Sequence, residues 1–243
     1  MSKSFKEMRE SVILMATHNR HKVDEVKKVL SMTAKGAGKN YTVVSLETIP
    51  QKIHLKENGV SFRENALSKN ISLFQWLYTE GIESLEKIFS GGKGWILSDD
   101  SGLEVDVLNG APGIYSARYA AKSNSQGNAP DEENNRKLLE ELVNITTLES
   151  RRGQFRCLLA LTPIEIEADQ SDLLEKTEFF EGICRGHIAC QPEGENGFGY
   201  DPLFIPEGYN KSFAVLGENI KNKISHRSRA LEELADFLKR SER

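Results

Sequence analysis

A strand-length apolar run, SVILMA (Ser11–Ala16), gives way after a short polar turn to apolar residues at Val23, Val26, Val29 and Leu30. The first stretch reads as a buried strand, and the second has the spacing of one helix face. The chain therefore opens strand, turn, helix. Further strand-like runs follow at Tyr41–Leu46, at WILS after the glycine-rich turn Gly91–Gly94, at Gln154–Thr162 and at Glu178–Ala189. A Ser61/Glu64 capping box starts a helix continued by Phe62, Ala66, Leu67, Ile71, Phe74 and Leu77. Pro130 to Val143 and Ser228 to Lys239 carry two more helical patterns. Strands and helices mix without strict alternation, which predicts an α/β fold with a mixed sheet flanked by helices. No repeat or linker divides residues 1–243, so they read as a single unit. The polar stretches Thr79–Gly94 and Pro163–Thr177 read as irregular surface excursions.

Composition removes several function classes. A net charge of -4 offers no basic face for nucleic acid. No run is long enough to span a bilayer, and the run at Val12–Ala16 is too short for a secretion signal. Three cysteines without paired spacing argue against a disulfide frame or zinc knuckle. The cytoplasm is the expected location.

Five stretches carry candidate chemistry. THNRHK (Thr17–Lys22) lies at the strand-to-helix turn, where free N–H groups and Lys22 suit a phosphate tail; an ordinary Asn19 N-cap with a solvated Lys22 is the alternative. Glu57 precedes an Asn-Gly turn, with Asn65 placed to brace a site from behind. Asp99 and Asp100, in SDDSGLEVDVLNGAPG, stand where the WILS strand is expected to end, a common ligand position in α/β sheets. One Asp can bind magnesium and the other orient a water, or the pair is a solvated turn. In GENGFGYDP, Gly197 and Gly199 bracket Phe198, displaying a ring that can stack on a base, with Asp201 accepting a ring N–H; a core aromatic in a glycine turn is the alternative. In KNKISHRSRAL, Ser225 reads as an N-cap that places His226 and Arg227 at an electropositive helix start.

Together SDDSGLEVDVLNGAPGIYSARYA, GFGYDPLFIP and ISHRSRAL resemble the inosine triphosphate pyrophosphatase family, in the right order and over about Val12 to Leu238. The resemblance implies an elongated central mixed sheet, two lobes with a cleft between them, a homodimer, and magnesium-dependent hydrolysis of ITP, dITP and XTP to monophosphate and pyrophosphate. It implies that Thr17, His18, Asn19, Arg20, His21 and Lys22 form the phosphate loop. It makes Glu57 and Asp100 metal ligands, Asp100 also the proton acceptor, and Ser101 a substrate contact. Phe198, Gly199, Tyr200 and Asp201 then hold the base, with Lys221, His226 and Arg227 as further substrate contacts. The chain departs from the family pattern at His18 and His21, which stand where glycines are usual, and at Val215, which replaces a Glu. Enzymes for other modified nucleotides, or a catalytically silent nucleotide sensor, are the competing readings.

Overall fold

The computed structural model describes residues 11–34, 41–121 and 127–241; the stretch Gly36–Asn40, whose sequence reads as a loop, lies outside them. The chain runs β1 (Ser11–Met15), α1 (Arg20–Ala34), β2 (Tyr41–Ser45), α2 (Phe62–Thr79), α3 (Ile82–Ile88), β3 (Lys93–Val105), α4 (Asp131–Glu141), β4 (Arg152–Glu165), α5 (Gln170–Glu175), β5 (Glu178–Ile188), β6 (Phe204–Pro206), α6 (Phe213–Leu216), α7 (Glu218–Ile224) and α8 (His226–Ser241). The strands form one six-stranded sheet in the order β2-β1-β3-β4-β5-β6. β2, β1 and β3 are parallel, whereas β3 to β6 are antiparallel. The expected mixed sheet flanked by helices is therefore present.

Alternation along the strands sends side chains to two faces. Ile13, Met15, Leu97 and Leu159 meet apolar residues of α1 and α8 on one face. Leu14, Ala16 and Ile96 meet α2 and α3 on the other. At the far end, Leu103, Val105 and Phe155 pack with Leu138 of α4 and with Phe204 and Phe213.

Three expectations change. β3 does not stop after WILS but continues to Val105, so Asp99 and Asp100 lie in mid-strand. What ends nearby is β1: its pairing with β3 reaches only Met15–Leu97, while β4 accompanies β3 to Val105. The two polar stretches are also structured. Thr79–Gly94 holds α3, anchored by buried Leu85 and Phe89, and Pro163–Thr177 holds the end of β4 and α5, anchored by Ile164 and Leu173. So few anchors leave short helices without a readable period. The capping box is displaced by one residue as well. Ser61 Oγ accepts from Glu64 N at 3.2 Å, but the Glu64 carboxylate accepts from Val60 N at 3.0 Å.

The start of α8 sits directly on β5, and Gly182 makes this possible. A Cβ there would lie 1.9 Å from the His226 carbonyl oxygen and 2.6 Å from Ala230 N. Gly182→Ala is expected to push the helix off the sheet at a cost of about 1–3 kcal/mol, read as a Tm lowered by several degrees in calorimetry. An unchanged Tm would show that this contact has slack.

Candidate active site

The site grows from the open edge of β3. Ala16 N still donates to Leu97 O at 2.8 Å. Two residues on, the Asp99 carbonyl points the same way, but β1 has turned off into Thr17–Lys22. A buried carbonyl without a partner is costly, and here two ammonium groups supply the missing donors: Lys22 Nζ at 3.3 Å and Lys69 Nζ at 3.0 Å. Lys22 arrives from the start of α1 and Lys69 from α2. The turn itself is ordered by Asn19 N donating to Thr17 Oγ1 at 3.1 Å and by Lys22 N donating to Asn19 Oδ1 at 3.3 Å. Asn19 thus caps α1, while Lys22 is drawn inward.

Because neighbouring strand residues face opposite ways, the two aspartates do not form a carboxylate pair. Asp99 faces α1 and α8. Arg227 Nε meets its Oδ2 at 2.6 Å, Lys22 Nζ its Oδ1 at 2.5 Å, and Ser101 Oγ its Oδ1 at 2.9 Å. Burial opposes its charge, yet Arg227 and Lys22 hold the carboxyl well below the usual range. Arg227, itself 1% exposed, also reaches Ser101 Oγ at 2.9 Å and Glu25 of α1. Glu25 Oε1 lies 3.1 Å from Lys221 Nζ, which in turn bonds Asp201 Oδ2 at 2.6 Å. Burial pushes the Asp201 carboxyl up, with Lys221 offsetting part of the shift. Cys157 Sγ donates to Asp99 Oδ2 at 3.4 Å from below; burial and that carboxylate raise its thiol well above the usual range, which makes it a poor nucleophile.

Asp100 faces α2. Its Oδ1 accepts from Lys69 Nζ at 2.8 Å and its Oδ2 from Asn65 Nδ2 at 3.2 Å. Asn65 also accepts from Gly59 N at 2.8 Å, so the brace expected of it ties the Glu57 turn to Asp100. Glu57, half exposed, places Oε1 3.0 Å from Lys69 Nζ and Oε2 3.8 Å from Arg118. Burial raises the Asp100 carboxyl, and Lys69 and Lys22 offset this only in part. Burial would also raise Glu57, but Lys69 outweighs it and holds the group low.

The start of α1 also faces the GFGYD turn. Gly197 and Gly199 take φ of 84° and 63°, conformations open to glycine at little cost, and Phe198 is half-buried between them. Its ring lies 4.2 Å from Lys221 Nζ and stacks on His21 at 5.2 Å. Gly199 is pinned by Asp131 and Asn135. Tyr200 instead turns into the core, its hydroxyl donating to Ser116 O at 3.0 Å. His226 is buried against Phe155 at 4.8 Å, and its Nδ1 has no hydrogen-bond partner among the described residues. Arg20 pairs with Glu47 on the outer surface, and His18 Nε2 lies 3.0 Å from Ile53 O. The structure thus gathers Lys22, Glu57 and Asp100 at one end and His21, Phe198, Asp201 and Lys221 at the other, with Arg227 and Ser101 around Asp99 between them. It does not bring Arg20 or the Tyr200 hydroxyl to them.

Lys69 and Glu25 carry much of this wiring and were not singled out from sequence. Lys69 occupies the helical stripe of Phe62, Ala66 and Leu73, so a charge at that core spacing was a readable signal. Glu25 lies between Val23 and Val26 in the same manner.

Each cation at the centre already faces a carboxylate, so a polyphosphate entering here needs added positive charge. Among the described residues, no group of three or more His, Cys, Asp or Glu side chains could hold a metal ion. There is instead a set of two carboxylates, Glu57 and Asp100, converging on the point now held by Lys69 Nζ. Magnesium commonly takes one or two carboxylates and completes its shell with phosphate oxygens and water, so the donor set fits that ion.

A model of the Ham1 family matches residues 13–237. The chain belongs to the Ham1 family. Among curated proteins it is 37% identical over 227 residues to the dITP/XTP pyrophosphatase of Clostridium tetani (strain Massachusetts / E88), covering 93% of this chain and 96% of that protein. It is 38% identical over 231 residues to the dITP/XTP pyrophosphatase of Bacillus subtilis (strain 168), covering 95% and 98%. Among solved structures, the Staphylococcus aureus Ham1 protein aligns with a TM-score of 0.67 at 33% identity, covering 96% of this chain and 100% of that one. A HAM1 protein from Coxiella burnetii aligns with a TM-score of 0.69 at 31% identity, covering 94% and 98%. No helix among the described residues is long and apolar enough to cross a membrane.

Burial first, then Arg227 and Lys221, hold the His226 imidazole well below its usual range. The folded protein keeps it neutral, whereas the unfolded chain takes up a proton below about pH 6.5. Its contribution to stability is full above that pH and falls as the pH drops, by at most about 1.4 kcal/mol per unit. His226→Gln is therefore expected to flatten the loss between about pH 6.5 and 5.5. Urea denaturation of both proteins across that window checks it, and equal slopes would assign the proton uptake elsewhere.

Proposed function

We propose that this protein is a nucleoside triphosphate pyrophosphatase that hydrolyses deaminated purine nucleotides (ITP, dITP and XTP) to the monophosphate and pyrophosphate. The observation that carries the reading is the shared edge of β3, where Lys22, Lys69, Glu57 and Asp100 meet around the Asp99 carbonyl. A phosphate tail suits that end, and a stacking ring stands at the other end of the same cluster. The names of relatives that align over almost their whole length support the same activity.

In this reading the start of α1 and Lys22 receive the phosphates. Asp100, its carboxyl raised by burial, takes the proton of a water whose oxygen attacks the α-phosphorus. The bond from that phosphorus to the bridging oxygen breaks, and pyrophosphate leaves. Lys22 and Lys69 offset charge on the phosphoryl oxygens. Glu57 and Asp100 would hold magnesium, which when bound neutralises the leaving group. Phe198 supplies the stacking face. Lys221, Arg227 and the unpartnered His226 Nδ1 offer polar groups to the purine's 6-oxo edge, where an adenine amino group would meet donors with a donor. We place the enzyme in the cytoplasm as one functional unit and as a homodimer; exposed Val60 and Tyr115, near the Gly110–Gly113 loop, supply apolar surface for self-association.

The test is pyrophosphate release from ITP, dITP, XTP, ATP, GTP and modified pyrimidine triphosphates, with magnesium and with a chelator. Release is expected from the first three and is expected to stop with the chelator. Asp100→Asn should lower turnover by about 10²–10⁴-fold; near-wild-type turnover would remove Asp100 as the base. Nucleotide binding without release of pyrophosphate would favour a sensor instead.

A further inference from the structure

His21 is where this chain departs from the glycine usual in the family it resembles. Its imidazole lies nearly parallel to the Phe198 ring, 15° apart, with centroids 5.2 Å apart. The two rings come from opposite ends of the sequence, and they differ in how firmly they are held. The Phe198 turn is fixed by its backbone: Phe198 N donates to Asp201 Oδ2 at 2.9 Å, Gly199 N to Asp131 Oδ2 at 2.6 Å, and Gly199 O accepts from Asn135 Nδ2 at 2.9 Å. The His21 side chain is exposed, and no hydrogen bond holds its imidazole among the described residues. Between α1 and this turn lies a cavity of about 140 Å³, lined by His21, Glu25, Phe198 and Lys221. Sites for small molecules usually measure about 300–1,000 Å³. Each aromatic stack needs about 4.5–7 Å between centroids, so nothing fits between rings 5.2 Å apart.

We infer that His21 is a specificity-determining residue that covers the base shelf, and that a purine must displace it from Phe198 in order to bind. The inference rests on the nucleotide reading of the site given above. Its position on α1 explains why this histidine reaches the base end. Lys22, one residue on, turns to Asp99, whereas His21 lies one helical turn before Glu25, which holds Lys221 and Arg227. Phosphate and base ends are thus served by adjacent residues of one helical turn. Displacement raises the threshold for binding: a base succeeds when its larger π-face and its polar contacts with the Lys221 cluster together outweigh the imidazole's stack.

The test compares wild type, His21→Gly and His21→Phe. Loss of the competing ring should lower KM for ITP by about 2–10-fold, the weight of one aromatic stack, and the change should fall on KM more than on kcat. His21→Phe should return KM to the wild-type value or above it. An unchanged or raised KM in His21→Gly overturns the inference. Calorimetric titration with ITP and no metal reads binding without turnover and keeps the two claims apart. If wild type releases no pyrophosphate from any triphosphate, the functional reading fails. Tighter ITP binding by His21→Gly would still support displacement, whereas equal, weaker or absent binding would overturn it. The ring contact is checked directly by NMR: the His21 imidazole protons should carry a ring-current shift that Phe198→Leu abolishes and that ITP removes. Persistence of the shift with ITP bound would overturn displacement.

Discussion

The site depends on one mismatch in strand length. β1 stops at Met15, and β3 runs eight residues beyond their last pairing. The carbonyl of Asp99 is left on an open edge inside the molecule, and it collects the ammonium groups of Lys22 and Lys69. Had β1 continued, a strand amide would have taken that carbonyl, and the lysines would have had only the carboxylates of Asp99, Asp100 and Glu57 to meet. The polar centre of the molecule is the hydrogen-bonding deficit of a sheet edge, satisfied by cations.

The same strand divides the labour of its two aspartates. Asp99 is wholly buried and fixed as an anion by Arg227 and Lys22, which suits a structural hub. Asp100 is less enclosed, its charge less fully compensated, and its carboxyl raised, which suits proton transfer. Environment, rather than residue type, separates the two roles. Arg227 belongs to the hub: Asp99, Glu25 and Ser101 take most of its donors, so its removal would strand buried carboxylates before it altered any contact with a base. Buried ion pairs of this kind are costly to break.

Much of this was legible in the sequence because it is local. The opening strand–turn–helix, the Asn19 and Ser225 caps and the glycines around Phe198 all follow from residues within a few positions of one another. What escaped reading is set by distance in the chain. The length of β3 was hidden because Ser98–Gly102 breaks the apolar run, its polar groups being satisfied by α2, α8 and α1 rather than by water. The core spacing of Lys69 marks it as buried, but what it and Glu25 serve is set by partners 31 residues away for Lys69–Asp100 and 202 for Glu25–Arg227. α3 and α5 were missed because one or two buried side chains suffice to dock a short helix.

Placing both aspartates on one continuous strand makes β3 a ruler. A single-residue insertion or deletion between Trp95 and Asp99 would rotate everything after it by half a turn. The anionic hub would then face α2 and the reacting carboxylate α8, with every partner on the wrong side. A two-residue change would keep the faces but slide the groups by about 6.6 Å, past the reach of Lys22. Length variation in this lineage is therefore expected to collect in the connections around the sheet and to spare the stretch from Lys93 to Val105.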